Sequence, residues 1–309
     1  MTLFISQNFA SNQLNVSSPQ RTIKQSVSCQ GRGLHTGCEV KMTLKPAPPN
    51  SGICFRRIDL SEFEIPASIE YVARVSYATT LMRLGVMVAT VEHLLSALAG
   101  CQIDNCIVEL DSLEVPIMDG SAREFINLIN SAGIIEQSAK RVCLKVLEPV
   151  EVHDSNRWIK IEPASELSIN STIDFSHPLI GKQKLNYKFS FNSYVEEIAS
   201  ARTFGFAKEL DTLRRAGLIR GGSLENAIVL TDDGLMNNEG LRFADEFARH
   251  KVLDILGDLA LTGRPIIGKV TAERSGHALH AQLVSQLLRN SNSWELVEQS
   301  DLQLAVGSR

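Results

Sequence analysis

Residues 243–261 read FADEFARHKVLDILGDLAL, and this stretch decides the second half of the chain. Its apolar residues recur at three- and four-residue intervals, the period of a helix. His250, Asp254 and Asp258 recur at i, i+4 and i+8, so they share one face. Leu253, Leu256 and Leu259 lie elsewhere on the helix, available for packing. A His and an Asp one turn apart can both reach one metal ion, at about 2.0–2.2 Å for the nitrogen and oxygen ligands of zinc. Asp258, one turn further on, is placed to orient a ligand or a catalytic histidine. The same spacing also describes an ordinary solvated pair on a helix surface, so it does not decide the matter alone.

Outward from this helix, residues 266–271 read as a strand and 278–288 as a last helix. Upstream, residues 158–161 and 167–175 alternate apolar and polar as half-buried strands do. Helical signals follow at 192–198 and 208–216, the second broken by Gly217, Gly221 and Gly222, and 228–230 is strand-like. The first half shows the same order. Val40, Met42 and Leu44 alternate in a strand, and residues 53–55 form the next after the turn Pro48-Pro49-Asn50-Ser51-Gly52. Residues 91–99 are apolar nearly all round, predicting a buried helix with Thr90 as N-cap and Gly100 as its end. A strand at 107–110 precedes a helix towards Ile129, for which Ser121 and Glu124 supply a capping box. The chain is therefore α+β with two related domains, 21–145 and 146–290, joined near residues 140–149. Residues 1–20 read as a disordered tail and 291–309 as a C-terminal tail.

Glu92 and His93 sit in Val91-Glu92-His93-Leu94-Leu95, whose neighbours want to be buried. A buried carboxylate must find a cation, a metal or a proton, since left unpaired it costs several kcal/mol. With His93 as third ligand, His250 and Asp254 complete a His-His-Asp set with one open position, the pattern of catalytic zinc. Glu92, beside a ligand yet outside the set, could take a proton from water. The plainer reading is a core histidine with its carboxylate neighbour as a cap. His277 follows the turn Ser275-Gly276 and could be a general acid oriented by Asp258, or a loop histidine of no consequence. His280 is expected to pack or to face solvent. His35, in Gly33-Leu34-His35-Thr36-Gly37, lies in a loop that lacks the spacing of a phosphate-binding fingerprint. GxSxG and HExxH are both missing from the sequence, which leaves a serine hydrolase without support.

The 309 residues carry 44% apolar and 21% charged side chains and a net charge of -4. Without a basic stripe, nucleic acid is excluded as a partner. The most apolar run, residues 86–98, is shorter than the roughly 20 residues a membrane span needs. The six cysteines form no CxxC pair and read as reduced thiols of a cytoplasmic protein.

Seven blocks carry a resemblance to a known family. They are residues 33–37, Thr90-Val91-Glu92-His93-Leu94-Leu95-Ser96-Ala97-Leu98, Pro116-Ile117-Met118-Asp119-Gly120-Ser121, Ala201-Arg202-Thr203-Phe204-Gly205-Phe206, Gly240-Leu241-Arg242-Phe243, residues 249–258 and Ser275-Gly276-His277-Ala278-Leu279. In this order they resemble the UDP-3-O-acyl-N-acetylglucosamine deacetylases, zinc amidases at the committed step of lipid A synthesis. The resemblance implies two domains, each a layered sheet and helix-pair sandwich, with the active site between them. It implies Zn2+ on His93, His250 and Asp254, Glu92 as general base, and His277 as general acid or electrostatic stabiliser supported by Asp258. Thr203 would bond the developing oxyanion, and Lys251 and Phe204 would hold the substrate. Residues 206–229 would line a passage for a fatty acyl chain, with Ala207, Leu210, Ile219, Ala227 and Val229 suitably apolar. The implied substrate is UDP-3-O-(3-hydroxyacyl)-N-acetylglucosamine, the protein acting as a cytoplasmic monomer. Two rivals stand beside this reading: a zinc amidase of the same plan for another acyl chain or sugar nucleotide, and a catalytically idle binding module.

Overall fold

A computed structural model describes residues 18–299. Alternation builds the first sheet: in the strand Glu39–Pro46, Val40, Met42 and Leu44 are buried while Glu39 and Lys41 face out. It lies between Val27–Arg32 and Cys106–Leu110, and the sheet continues through Ile53–Arg57 to Phe63–Pro66. The second sheet runs Val150–Asp154, Arg157–Glu162, Lys269–Glu273, Ser168–Phe175, Gly181–Lys188.

The two sheets have one topology. In each, two hairpins flank a central strand that comes last in the chain, antiparallel to the second strand and parallel to the third. A parallel partner needs a crossover connection, and in each half a helix supplies it just before that strand. These crossover helices are Glu92–Gly100 and Glu246–Leu259, and a second helix follows each central strand, Arg123–Ala132 and His277–Arg289. The apolar core runs without a break through both halves, and the two crossover helices pack directly on each other. That contact needs Gly257, where a Cβ would stand 2.0 Å from the carbonyl oxygen of Glu92. The obstacle is backbone, so a side chain there would force the two helices apart.

Several local expectations are overturned. Thr90 is no N-cap: the helix begins at Glu92 after Val91, without a side-chain cap. Thr90 instead adopts φ +57, and its hydroxyl donates to Glu114. The Ser121–Glu124 capping box does not form either, because Ser121 bonds Asp119 and the Arg123 amide while Ala122 stands at the cap. A capping box does occur at Ser190 and Ser193, ahead of the π-helical turn Tyr194–Ile198. The long helix is Glu246–Leu259, so Phe243 and Ala244 precede it. The predicted strand 266–271 divides at Gly268 into Ile266–Ile267 and Lys269–Glu273.

Order also begins and ends further out than the sequence pattern predicts. Pro19–Ile23 is a strand paired with Ile134–Lys140. Trp294–Glu298, inside the predicted C-terminal tail, pairs with Val142–Val146 at the expected join, and Ile266–Ile267 closes that three-stranded sheet. The remainder of both predicted tails, residues 1–17 and 300–309, lies outside the described residues. All six cysteines are unpaired.

Candidate metal centre

The crossing of the two helices brings the site together. Glu92 and His93 occupy the first turn of one, immediately after the left-handed Thr90. A β-branched residue in that region costs about 1–3 kcal/mol and persists only where its surroundings enforce it. Here Glu114, itself fully buried, enforces it: the carboxylate accepts from Thr90, the His35 and Thr36 amides and the Thr36 hydroxyl. The loop containing His35 thus braces the turn that aims Glu92.

From the other helix come His250 and Asp254, one turn apart. His250 Nε2 lies 3.4 Å and His93 Nε2 3.7 Å from Asp254 Oδ1. His250, His93 and Asp254 are 1%, 4% and 2% exposed, so all three are shielded from bulk solvent. His250 Nδ1 lies 3.0 Å from the Ala201 carbonyl, to which it can only donate, and this leaves Nε2 as a lone-pair donor. The segment carrying Ala201 is fixed in turn by Arg202, whose buried guanidinium reaches Glu246 at 2.9 Å in the first turn of the His250 helix.

Electrostatics fits a cation at this point. Burial, then the neighbouring His250, pushes the His93 imidazole down to about 3, and burial likewise lowers His250, so both rings are neutral. Burial alone would raise the Asp254 carboxyl, yet coupling to His250, then Lys251, His277 and His93, favours its ionised form and holds it well below the usual carboxylate range. With the His93 and His250 rings neutral, Lys251 and His277 carry the positive charge. Asp254 Oδ2 accepts from Lys251 Nζ at 2.8 Å, whereas buried Oδ1 has no hydrogen-bond partner among the described residues. An ionised oxygen facing two neutral nitrogens, with no proton to share, is the donor set a divalent metal takes. His93 Nδ1 also lacks a partner among the described residues, so this ring is not braced as His250 is.

Beside the cluster stands a buried carboxyl–imidazole pair, Glu92 and His277. Burial pushes the Glu92 carboxyl up to about 7, with His277 opposing and Asp258 reinforcing. The Thr79 amide donates to Glu92 Oε2 at 3.0 Å, and His277 Nε2 lies 3.9 Å from Oε1. Burial works against a charge on His277, but Asp258, 2.7 Å from its Nδ1, outweighs it and raises the ring to about 10. Asp258 is held down to about 2 by its two histidine partners in spite of burial. Asp258, His277 and His280 form a second group with metal-like spacing. Both Asp258 oxygens already accept hydrogen bonds from protein donors, so this group reads as a hydrogen-bond network.

Other predicted residues stand at varying removes. The Phe204 ring packs on Phe247 at 5.0 Å and Phe175 at 5.6 Å, with Lys251 Nζ 5.3 Å from its centre. Thr203 lies on the same segment, its backbone tied to Gly120 and Ile228. Val229 is buried in the strand Ile228–Leu230, parallel to Phe204–Phe206, while Leu210, Ile219 and Ala227 are half-buried. None of these lines the cavity of about 440 Å³ between the halves, which lies towards the C-terminal ends of the two crossover helices, against Leu95, Leu98, Leu256 and Leu259. Sequence reasoning missed Thr79, 13 residues ahead of Glu92 with no local signal. It also set His280 aside, although that residue is fully buried and 2.7 Å from Asp258. The three-residue interval from His277 was the available clue.

Fold and cluster together define a duplicated α+β protein with a candidate metal centre where its paired helices cross. Residues 20–289 match the family described as UDP-3-O-acyl N-acetylglycosamine deacetylase, and the chain belongs to that family. It is 50% identical over 279 residues to the UDP-3-O-acyl-N-acetylglucosamine deacetylase of Myxococcus xanthus (strain DK1622), covering 90% of this chain and 89% of that relative.

Proposed function

We propose that this chain hydrolyses the acetamide of UDP-3-O-(3-hydroxyacyl)-N-acetylglucosamine to acetate and the free amine, the committed step of lipid A synthesis. One observation carries the reading furthest: Glu92, its carboxyl raised to about 7, lies 3.9 Å from protonated His277 and next to the His93, His250 and Asp254 donors. Those three donors would hold Zn2+, whose nitrogen and oxygen preferences they match. When bound, Zn2+ polarises the acetamide carbonyl and lowers the pKa of water.

The chain's own residues do the rest. Glu92, ionised above its raised pKa, takes a proton from the attacking water, whose oxygen bonds to the carbonyl carbon. Thr203 donates to the oxyanion that develops there. The carbon–nitrogen bond then breaks, and His277 gives its proton to the departing amine while Asp258 steadies the ring. Lys251 and Phe204 hold the substrate, and Leu210, Ile219, Ala227 and Val229 line the acyl passage. Among the described residues, no helix is long and apolar enough to cross a membrane, and the reading places the protein in the cytoplasm as a monomer.

The test is acetate release from the acylated UDP-sugar, with and without a zinc chelator. Chelator-sensitive release supports the reading. A folded, zinc-loaded protein that releases no acetate overturns it.

A further inference from the structure

Asp258 is 1% exposed and its carboxylate is met by three donors from two segments of the chain. The Thr79 hydroxyl donates to Oδ1 at 2.6 Å. His277 Nδ1 and His280 Nδ1 both lie 2.7 Å from Oδ2, so one oxygen serves two imidazoles. His280 is fully buried, and its Nε2 lies 2.9 Å from the Ser275 hydroxyl. With Nδ1–H donated to Asp258, Nε2 is free to accept from Ser275, which locks the ring in that orientation. The two rings meet at 79° with centroids 6.0 Å apart.

We propose that His280 is a positioning residue for the hydrolysis: by sharing Oδ2 of Asp258 with His277, it limits how tightly Asp258 holds the proton of the catalytic imidazole. The proposal rests on the deacetylase reading above. A hydrogen bond to a carboxylate stabilises its charged form and lowers its basicity. Each donor His280 contributes to Asp258 is therefore withdrawn from the Asp258–His277 bond. Without it, Asp258 would grip His277 harder, and a proton held harder is delivered more slowly to a leaving amine. The other charged or titratable groups facing His277 are Asp254 and His250 on the long helix and Glu92 and His93 on its partner; none of them contacts His280 in the network.

The experiment compares the parent protein, His280→Ala and His280→Asn, metal-loaded and full-length. Asparagine keeps an N–H donor where Nδ1 stood. Steady-state kinetics should show kcat falling about tenfold in His280→Ala, the scale of effects transmitted through a supporting hydrogen bond, with KM unchanged. His280→Asn should recover most of that loss. In 1H–15N spectra of the imidazoles, the His277 midpoint should rise in His280→Ala and return in His280→Asn. Added to His277→Ala, the His280→Ala change should have no further effect on kcat. An unmoved His277 midpoint, equal loss in both His280 variants, or a full additional loss in the His277→Ala background overturns the proposal. If His280→Ala does not fold, Ser275→Ala decides, a raised His277 midpoint supporting the proposal and a parental one overturning it. A parent that releases no acetate overturns the deacetylase reading, while the spectra still decide whether His280 acts on His277.

Discussion

The two crossover helices occupy equivalent places in the repeated unit, yet they contribute chemistry in opposite ways. Glu92–Gly100 delivers its two functional groups in its first turn, after a strained Thr90 held by Glu114. Glu246–Leu259 delivers three along its length, at four-residue spacing, on a backbone that needs no unusual conformation. In the first helix the aim of Glu92 depends on the turn before it. In the second, the aim of His250, Asp254 and Asp258 follows from helical geometry alone. The lesson is that a duplicated scaffold supplies a symmetric crossing, and the asymmetry of function comes from where along each helix the polar residues fall.

The largest test of this contrast lies at the proposed metal ligands. His250→Ala should abolish metal retention and deacetylation together, measured by elemental analysis and acetate release. Glu92→Gln removes only the proposed proton acceptor, so metal content should stay parental while kcat falls about 10²- to 10⁴-fold. A Glu92→Gln protein that loses its metal would show that the first helix contributes more than a base.

The pH profile sharpens the division of labour between the same two helices. On the proposed roles, Glu92 works ionised and His277 protonated, so the rate should rise with pH through Glu92 and fall through His277, at about 10. The acid limb should lie at or below about 7, because a bound cation favours the ionised carboxylate. The sign for stability follows from the same shift. His277 is raised from 6.5 to about 10 in the folded chain, so its contribution is complete below 6.5 and lost as pH rises through about 10. Melting temperatures of the parent and His277→Ala should converge across that interval.

Gly257→Ala attacks the crossing itself. The new Cβ would stand 2.0 Å from the Glu92 carbonyl, and overpacking of this kind costs about 1–3 kcal/mol. Melting temperature should fall, and kcat should fall with it because the displaced backbone carries Glu92. The smallest effect is expected at Thr90→Gly, which relieves the left-handed strain but forfeits the bond to Glu114. Thermal unfolding within about 1 kcal/mol of the parent is the outcome to look for.

Much of the fold could be read in advance wherever a face was regular. Val40, Met42 and Leu44, or His250, Asp254 and Asp258, announce their strand and helix because each repeats one environment at one period. Thr90, Ser121 and Trp294 could not be read that way. Thr90 and Ser121 look like caps but are claimed by Glu114 and Asp119, and the strand Trp294–Glu298 exists because Val142–Val146 offers it an edge. His280, expected to pack or to face solvent, is fully packed, but its bond to Asp258, 22 residues away in the chain, could not be read for the same reason.

By itself the sequence determined the α+β class, the doubled order of elements, the family resemblance and the identity of the candidate ligands and base. Those follow from periodicity and local motifs, which are properties of neighbours along the chain. Only the tertiary structure decided that two equivalent helices cross at Gly257, that Asp254 Oδ1 is left without a hydrogen-bond partner among the described residues, and that Asp258 answers to Thr79, His277 and His280 at once. Charge state and aim in a buried site depend on which groups meet after the chain has closed on itself, and no local pattern encodes that.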